Sequence, residues 1–201
     1  MKATSPDLPN RIFEKIRNVF LDRDGVINRK APEGQYVGYW KDFQVLPGAE
    51  SAIASLNRSG RRVIVITNQR GVALGRYTCA DVEELHLKLQ EHLANHEARI
   101  DAFYYCPHDK HECDCRKPRT GLFQQAFRDF PDASMENSIV IGDSISDVEA
   151  ARNLGLPAIF IQGDPSTQKP GSDNAVALAD AVSDSLAEAV AKYLAEPIKA
   201  K

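Results

Sequence analysis

The sequence predicts an α/β protein: a central parallel sheet with helices on both faces. Three observations lead there. Short apolar runs alternate along the chain with segments of helical period. The run R-V-I-V-I-T at 62–67 is continuously apolar, as a strand covered on both faces must be. The links between runs are long enough for the helical crossovers that parallel strands require.

The first strand is 18–21, extended by Asp22. A helix over 48–58 follows Pro47, with Ala52, Ile53 and Leu56 at helical spacing and Gly60 as its stop. The second strand is 62–67. Thr78 caps a long helix over 80–97 whose stripe is Val82, Leu85, Leu89 and Leu93, with Cys79 a small residue at its start. A third strand (102–105), a helix (121–130), a fourth strand (138–141), a helix (147–154) and a fifth strand (158–161) continue the alternation, and the Ala-rich segment 175–194 reads as one closing helix. Irregular stretches fall at 1–17, 29–47, 106–119 and 163–173. The domain reading is an N-terminal tail or short helix (1–17), one domain (18–195) and a C-terminal tail (196–201).

Composition narrows the function. At 201 residues, 43% hydrophobic and 26% charged, the chain is ordinary globular material long enough to bury a core. A net charge of -3 leaves no basic footprint for nucleic acid. No apolar stretch approaches the roughly 20 residues of a membrane span, and M-K-A-T-S-P-D-L-P-N lacks an apolar signal core. The expectation is a cytoplasmic monomer with a small-molecule substrate. Of four cysteines, Cys106, Cys113 and Cys115 fall within one decapeptide. In a reducing compartment such clustering near histidine suggests a metal site more than a disulfide framework.

In open parallel sheets, chemistry sits beyond the carboxyl ends of the strands. The first strand ends on Asp22 and Asp24, the second on Thr67-Asn68-Gln69-Arg70, and the fourth on Gly142-Asp143 with Asp147 four residues on; Arg116 and Lys117 follow the third. Two neighbouring carboxylates oppose each other's ionisation. A divalent cation between Asp22 and Asp143 would relieve this, and an all-oxygen set suits magnesium. Asp22 is then the candidate nucleophile toward a phosphoryl group. Asp24, two residues on and on the same side of an extended chain, is the candidate acid and base. Lys117 and Thr67 are placed to stabilise charge on the phosphoryl oxygens. A pair of acids after a strand is, taken alone, more often a solvated turn; it is the company of the other motifs that reverses this.

D-R-D-G-V, the strand ending in Thr67, Lys117, and G-D-S-I-S-D resemble, in order, the four motifs of the haloacid dehalogenase (HAD) superfamily of aspartate-nucleophile phosphatases. The resemblance implies a HAD-like Rossmannoid three-layer α/β/α fold and phosphomonoester hydrolysis through an aspartyl-phosphate. It implies magnesium on Asp22, the backbone carbonyl of Asp24, and Asp143, with Asp147 in support. The segments F-L-D-R-D-G-V-I-N, V-I-T-N-Q-R-G-V-A-L-G-R-Y and Y-Y-C-P-H-D-K-H-E-C-D-C-R-K-P are similar to the branch that contains heptose-bisphosphate phosphatases and histidinol-phosphate phosphatases. That branch implies a structural zinc on Cys106, His108, Cys113 and Cys115; His111, in the middle of the intervening turn, reads as exposed, with exchange for His108 as the alternative ligand. The branch also implies cytoplasmic service to nucleotide-activated heptose for surface polysaccharide, or, on the alternative, histidine biosynthesis. Arg70 departs from the serine usual in the heptose group, the short D-K-H-E link is closer to the histidinol side, and G-V-A-L-G-R-Y resembles the heptose side.

The spacings leave no room for a large cap domain. Discrimination is therefore expected from loops and charges, with Asn68, Gln69, Arg70, Arg116 and Tyr36 as substrate-contact candidates for a sugar phosphate. His86, His92 and His96 read as surface or satisfied core residues. A mutase needs water excluded by a cap, a kinase lacks its G-x-x-x-x-G-K-[ST] loop, and a non-catalytic zinc module would be expected to lose an acid or the lysine.

Overall fold

The computed structural model describes residues 12–168 and 170–195; the predicted tails at 1–11 and 196–201 lie outside them. Six parallel strands form one sheet: β1 (Asn18–Leu21), β2 (Arg62–Asn68), β3 (Ala102–Cys106), β4 (Ser138–Gly142), β5 (Ala158–Ile161) and β6 (Ala181–Ser183), in the order β3-β2-β1-β4-β5-β6. The α-helices are α1 (Ala49–Arg58), α2 (Cys79–Ala94), α3 (Gly121–Asp129), α4 (Ile145–Leu154), α5 (Ser172–Leu178) and α6 (Leu186–Tyr193). β1 lies between β2 and β4, with Leu21 opposite Val65 on one side and Ile141 on the other. The chain reverses its direction of travel across the sheet at this pair, and such a switch point leaves a crevice at the carboxyl edge.

Alternation along β1 splits the core into two layers. Val19 and Leu21 join Val63, Val65, Ile139 and Ile141 against Ile53 and Leu56 of α1, Leu85 and Leu89 of α2, and Leu186 and Val190 of α6. Phe20 faces the other way with Ile64, Ile66 and Val140, against Leu122 and Phe123 of α3, Val148 of α4 and Ala175 of α5. Phe20 meets Phe123 edge-on at 5.2 Å between centroids. Each such side chain, fully buried, contributes about 1.5–3 kcal/mol, so both helical layers are held by the sheet between them.

Three expectations need correction. The predicted closing helix 175–194 is broken: α5 ends at Leu178, β6 pairs with β5, and α6 begins after Ser185, which caps it by accepting from Glu188 N. Asp180 causes the break. Its carboxylate accepts from Ala158 N at 2.9 Å and its own amide donates to Ala158 O at 2.9 Å, so the open edge of β5 outbids alanine's helix preference. The sheet accordingly has a sixth strand where five were expected. The long helix predicted to 97 stops at Ala94, and Glu97 turns the chain with φ 55°.

Candidate active site

Asp22 directly follows β1 and is tied to its neighbour strand by Asp22 N donating to Ile141 O at 2.9 Å. The carboxylate Oδ1 accepts from Arg23 N at 2.8 Å and lies 3.0 Å from Lys117 Nζ. Lys117 is buried, donates to Ile66 O at 2.5 Å and pairs with Asp147 at 2.6 Å. Burial opposes its charge, but Asp147 and Asp22 outweigh that and raise its pKa, so it stays a cation. The lysine's backbone is fixed as well: Asn68 Nδ2 donates to Lys117 O at 3.1 Å, and Lys117 N donates to Asn68 Oδ1 at 3.0 Å.

Asp147 has two tasks that explain its place in G-D-S-I-S-D. At the third position of α4 it accepts from Ser144 N at 3.1 Å and Ser144 Oγ at 2.5 Å, closing a capping box, while its other oxygen holds Lys117. Gly142 makes room for it, since a Cβ there would fall 2.3 Å from Asp147 Cβ. Gly25 is equally constrained: its φ is 95° and a Cβ would fall 1.9 Å from Asp143 Oδ2.

Asp24 is held by a buried network that the sequence did not reveal. Its oxygens accept from Arg23 Nη2 at 3.1 Å, Asn28 Nδ2 at 2.9 Å and Gln69 Nε2 at 3.0 Å. Burial alone would raise the Asp24 carboxyl; the Arg23 charge and these bonds reverse that and hold it below its ordinary value. Arg23 has no solvent exposure, donates to Val37 O at 2.8 Å, and reaches His86 Nε2 at 3.4 Å. Tyr77 donates to Gln69 Oε1 at 2.7 Å, completing the support. The only signal available was an arginine between the two acids, and its burial depends on elements far away in the chain.

One carboxylate oxygen from each of Asp22, Asp143 and Asp147 lies within 4.8 Å of the others. Asp143 Oδ1 is buried without a partner, while its other oxygen pairs with Lys30. Burial, joined by Asp22 and Asp147, pushes the Asp143 carboxyl up to about 7 against the pull of Lys30. An orphaned buried oxygen among three acids fits a hard divalent cation. Lys30 was missed in the sequence because it lies in the loop after β1, outside any motif.

At the end of β3 a second cluster forms. Cys106 Sγ lies 3.5 Å from Cys113 Sγ and 3.7 Å from His108 Nδ1, and Cys115 Sγ lies 3.3 Å from both His108 Nδ1 and Cys113 Sγ. With zinc–sulfur bonds of about 2.3 Å a tetrahedral site has edges of roughly 3.8 Å, so the four ligands are already gathered to about that size. His111, exposed and at φ 67°, is not among them. Cys115 leads straight into Arg116 and Lys117, which couples this loop to the buried lysine of the cleft.

A cleft of about 810 Å³ opens over Asp22, Asp24, Thr67 and Lys117, roofed by the 30–37 loop and the Cys-rich loop. All five predicted substrate contacts line it: Tyr36, Asn68, Gln69, Arg70 and Arg116. Asn68 and Gln69 are also engaged within the protein, as described, and Arg70 is paired with Asp109. Arg116 Nη1 is buried with no partner. Thr67 Oγ1 accepts from Gln69 Nε2 at 2.9 Å. No inserted domain separates β1 from β2 or β2 from β3, in keeping with the expected open site.

An aspartate pair at a Rossmannoid switch point, a lysine fixed between acids and a second acid pair after β4 define a HAD-type hydrolase site. The HAD-hydrolase-like family model matches residues 114–189. A D-glycero-alpha-D-manno-heptose-1,7-bisphosphate 7-phosphatase of Mycobacterium bovis is 43% identical over 85% of this chain and 87% of its own. A D-glycero-beta-D-manno-heptose-1,7-bisphosphate 7-phosphatase of Vibrio cholerae is 38% identical over 88% of this chain and 95% of its own. Among solved structures, the D,D-heptose 1,7-bisphosphate phosphatase of B. bronchiseptica, complexed with magnesium and phosphate, superposes with TM-score 0.77 at 29% identity, covering 88% of this chain and 97% of that one. This chain belongs to the heptose-1,7-bisphosphate 7-phosphatase family of the HAD-like hydrolases.

Proposed function

We propose that this chain is a magnesium-dependent phosphomonoester hydrolase that removes the 7-phosphate of D-glycero-D-manno-heptose 1,7-bisphosphate. The observation that carries the reading is Lys117 locked between Asp22 and Asp147 beside the unpartnered oxygen of Asp143, in a chain 43% identical to a named phosphatase of this specificity. Asp22, Asp143 and the backbone carbonyl of Asp24 would hold magnesium, which when bound supplies a Lewis acid toward a phosphoryl oxygen.

Asp22 attacks phosphorus as the bond to the sugar oxygen breaks, giving an aspartyl-phosphate; water then cleaves that phosphate and restores the carboxylate. Lys117 and Thr67 face the phosphoryl oxygens as charge spreads over them. Asp24 delivers a proton to the leaving sugar oxygen and takes one from the attacking water. Against burial, the Arg23 charge and the hydrogen bonds to Asp24 favour its basic form in the free enzyme, and a phosphate dianion beside it would shift it toward the acid form. Arg116, with a buried unpaired nitrogen on the cleft, and Arg70, Tyr36, Asn68 and Gln69 are the proposed contacts for the rest of the substrate.

Cys106, His108, Cys113 and Cys115 would hold a closed structural zinc that fixes the approach to Lys117. Residues 18–195 form one catalytic unit in this reading, acting as a cytoplasmic monomer. No helix among the described residues is long and apolar enough to cross a membrane.

The test is phosphate release with magnesium from both anomers of heptose 1,7-bisphosphate and from histidinol phosphate. A kcat/KM advantage of about a hundredfold for one bisphosphate anomer, or about 2.7 kcal/mol of transition-state discrimination, is expected. Preference for histidinol phosphate overturns the substrate while leaving the site roles in place.

A further inference from the structure

Away from the cleft, Glu50 in the first turn of α1 faces the end of α2. There His92, in the last turn of α2, and His96, in the turn that follows it, have ring centroids 5.0 Å from each other. His92 Nε2 lies 3.1 Å from Glu50 Oε1, and one ligand atom from each of the three residues falls within 4.8 Å of the others. None of the three lines the catalytic cleft or belongs to the Cys-rich loop. Glu50 and His92 are half-buried and His96 is exposed, so an ion could enter from solvent.

We propose that Glu50, His92 and His96 form a separate binding site for a borderline divalent transition-metal ion of the zinc, nickel or copper class. Two imidazoles and one carboxylate are the donor set such ions take, and the turn after Ala94 brings His96 beside His92 of the last helical turn. Three protein ligands leave a position open to water, as on an exposed face they must. The hard, all-oxygen preference of magnesium excludes it from a site with two imidazole donors. The ion would join α1 to the end of α2 beside Trp40, whose ring lies 5.7 Å from that of His92 and stacks on Phe43 at 5.2 Å.

Trp40 is the only tryptophan in the chain, which supplies a local reporter. The experiment titrates nickel into magnesium-loaded protein that carries a single equivalent of zinc, which the four-ligand Cys-rich loop takes ahead of a three-ligand site. It follows Trp40 fluorescence, nickel bound after desalting, and zinc released. A single saturable nickel equivalent that quenches Trp40 without releasing zinc is expected. His96→Ala, at an exposed position, should weaken that binding by about tenfold or more, and Glu50→Gln should weaken it with both histidines intact. Quenching that is unchanged in both variants, nickel uptake matched by zinc release, or no nickel bound beyond the loaded metals would each overturn the site.

Discussion

Acidification should destabilise this protein through His86. The ring is buried, stacked on Phe103 at 4.5 Å, and faces the Arg23 guanidinium at 3.4 Å. Burial first, and the Arg23 charge second, push its pKa from 6.5 down to about 3. Between those values the unfolded chain binds a proton at this position and the folded chain does not. Stability is therefore full above pH 6.5 and falls as the pH drops, with a slope approaching about 1.4 kcal/mol per pH unit. From pH 6.5 to about 4.5 the loss from this one group amounts to roughly 2 kcal/mol. Urea unfolding of the wild type and His86→Gln across this range isolates the effect. Glutamine cannot titrate, its amide oxygen can still accept from Arg23, and acid effects on the carboxylates and thiols are common to both proteins. The gap between the two stabilities should close by roughly 2 kcal/mol on going to the lower pH. Parallel curves would refute the buried neutral histidine.

Asp22→Asn should abolish phosphate release while leaving the circular dichroism spectrum intact, because the amide oxygen can still accept from Arg23 N and Lys117 Nζ; substantial residual turnover would sink the nucleophile assignment. Cys113→Ser should lower bound zinc and the melting temperature together, and a metal-free variant as stable and active as the wild type would count against a structural zinc. Gly142→Ala drives a methyl group to 2.3 Å from Asp147 Cβ. A cost of about 1–3 kcal/mol is expected in denaturant unfolding, with kcat reduced more than KM as Lys117 loses its partner; wild-type kinetics would show that Asp147 is free to move.

The candidate catalytic groups were legible because such motifs are written at strand ends, where each is local. Asp22 and Asp24, Thr67, and Asp143 with Asp147 each sit at the carboxyl end of a strand that its own apolar pattern announces, and parallel pairing then brings those ends together. The Cys-rich loop was legible for the same reason, since its ligands are close in sequence. What needed the tertiary structure was everything contributed across long separations. Arg23 reads as a surface residue until Val37, Gln69 and His86 close over it, and Lys30 finds Asp143 only when the loop after β1 folds back. Glu50 meets His92 across 42 residues. The segment 175–194 shows the limit most directly: alanine-rich composition favours a helix locally, but the free edge of β5 offers hydrogen bonds that only Ala181–Ser183, brought there by the fold, can satisfy. Local pattern therefore determined the fold class and the candidate reacting groups. Burial and long-range pairing decided which charges are silenced, which are shared, and how the reacting groups are held.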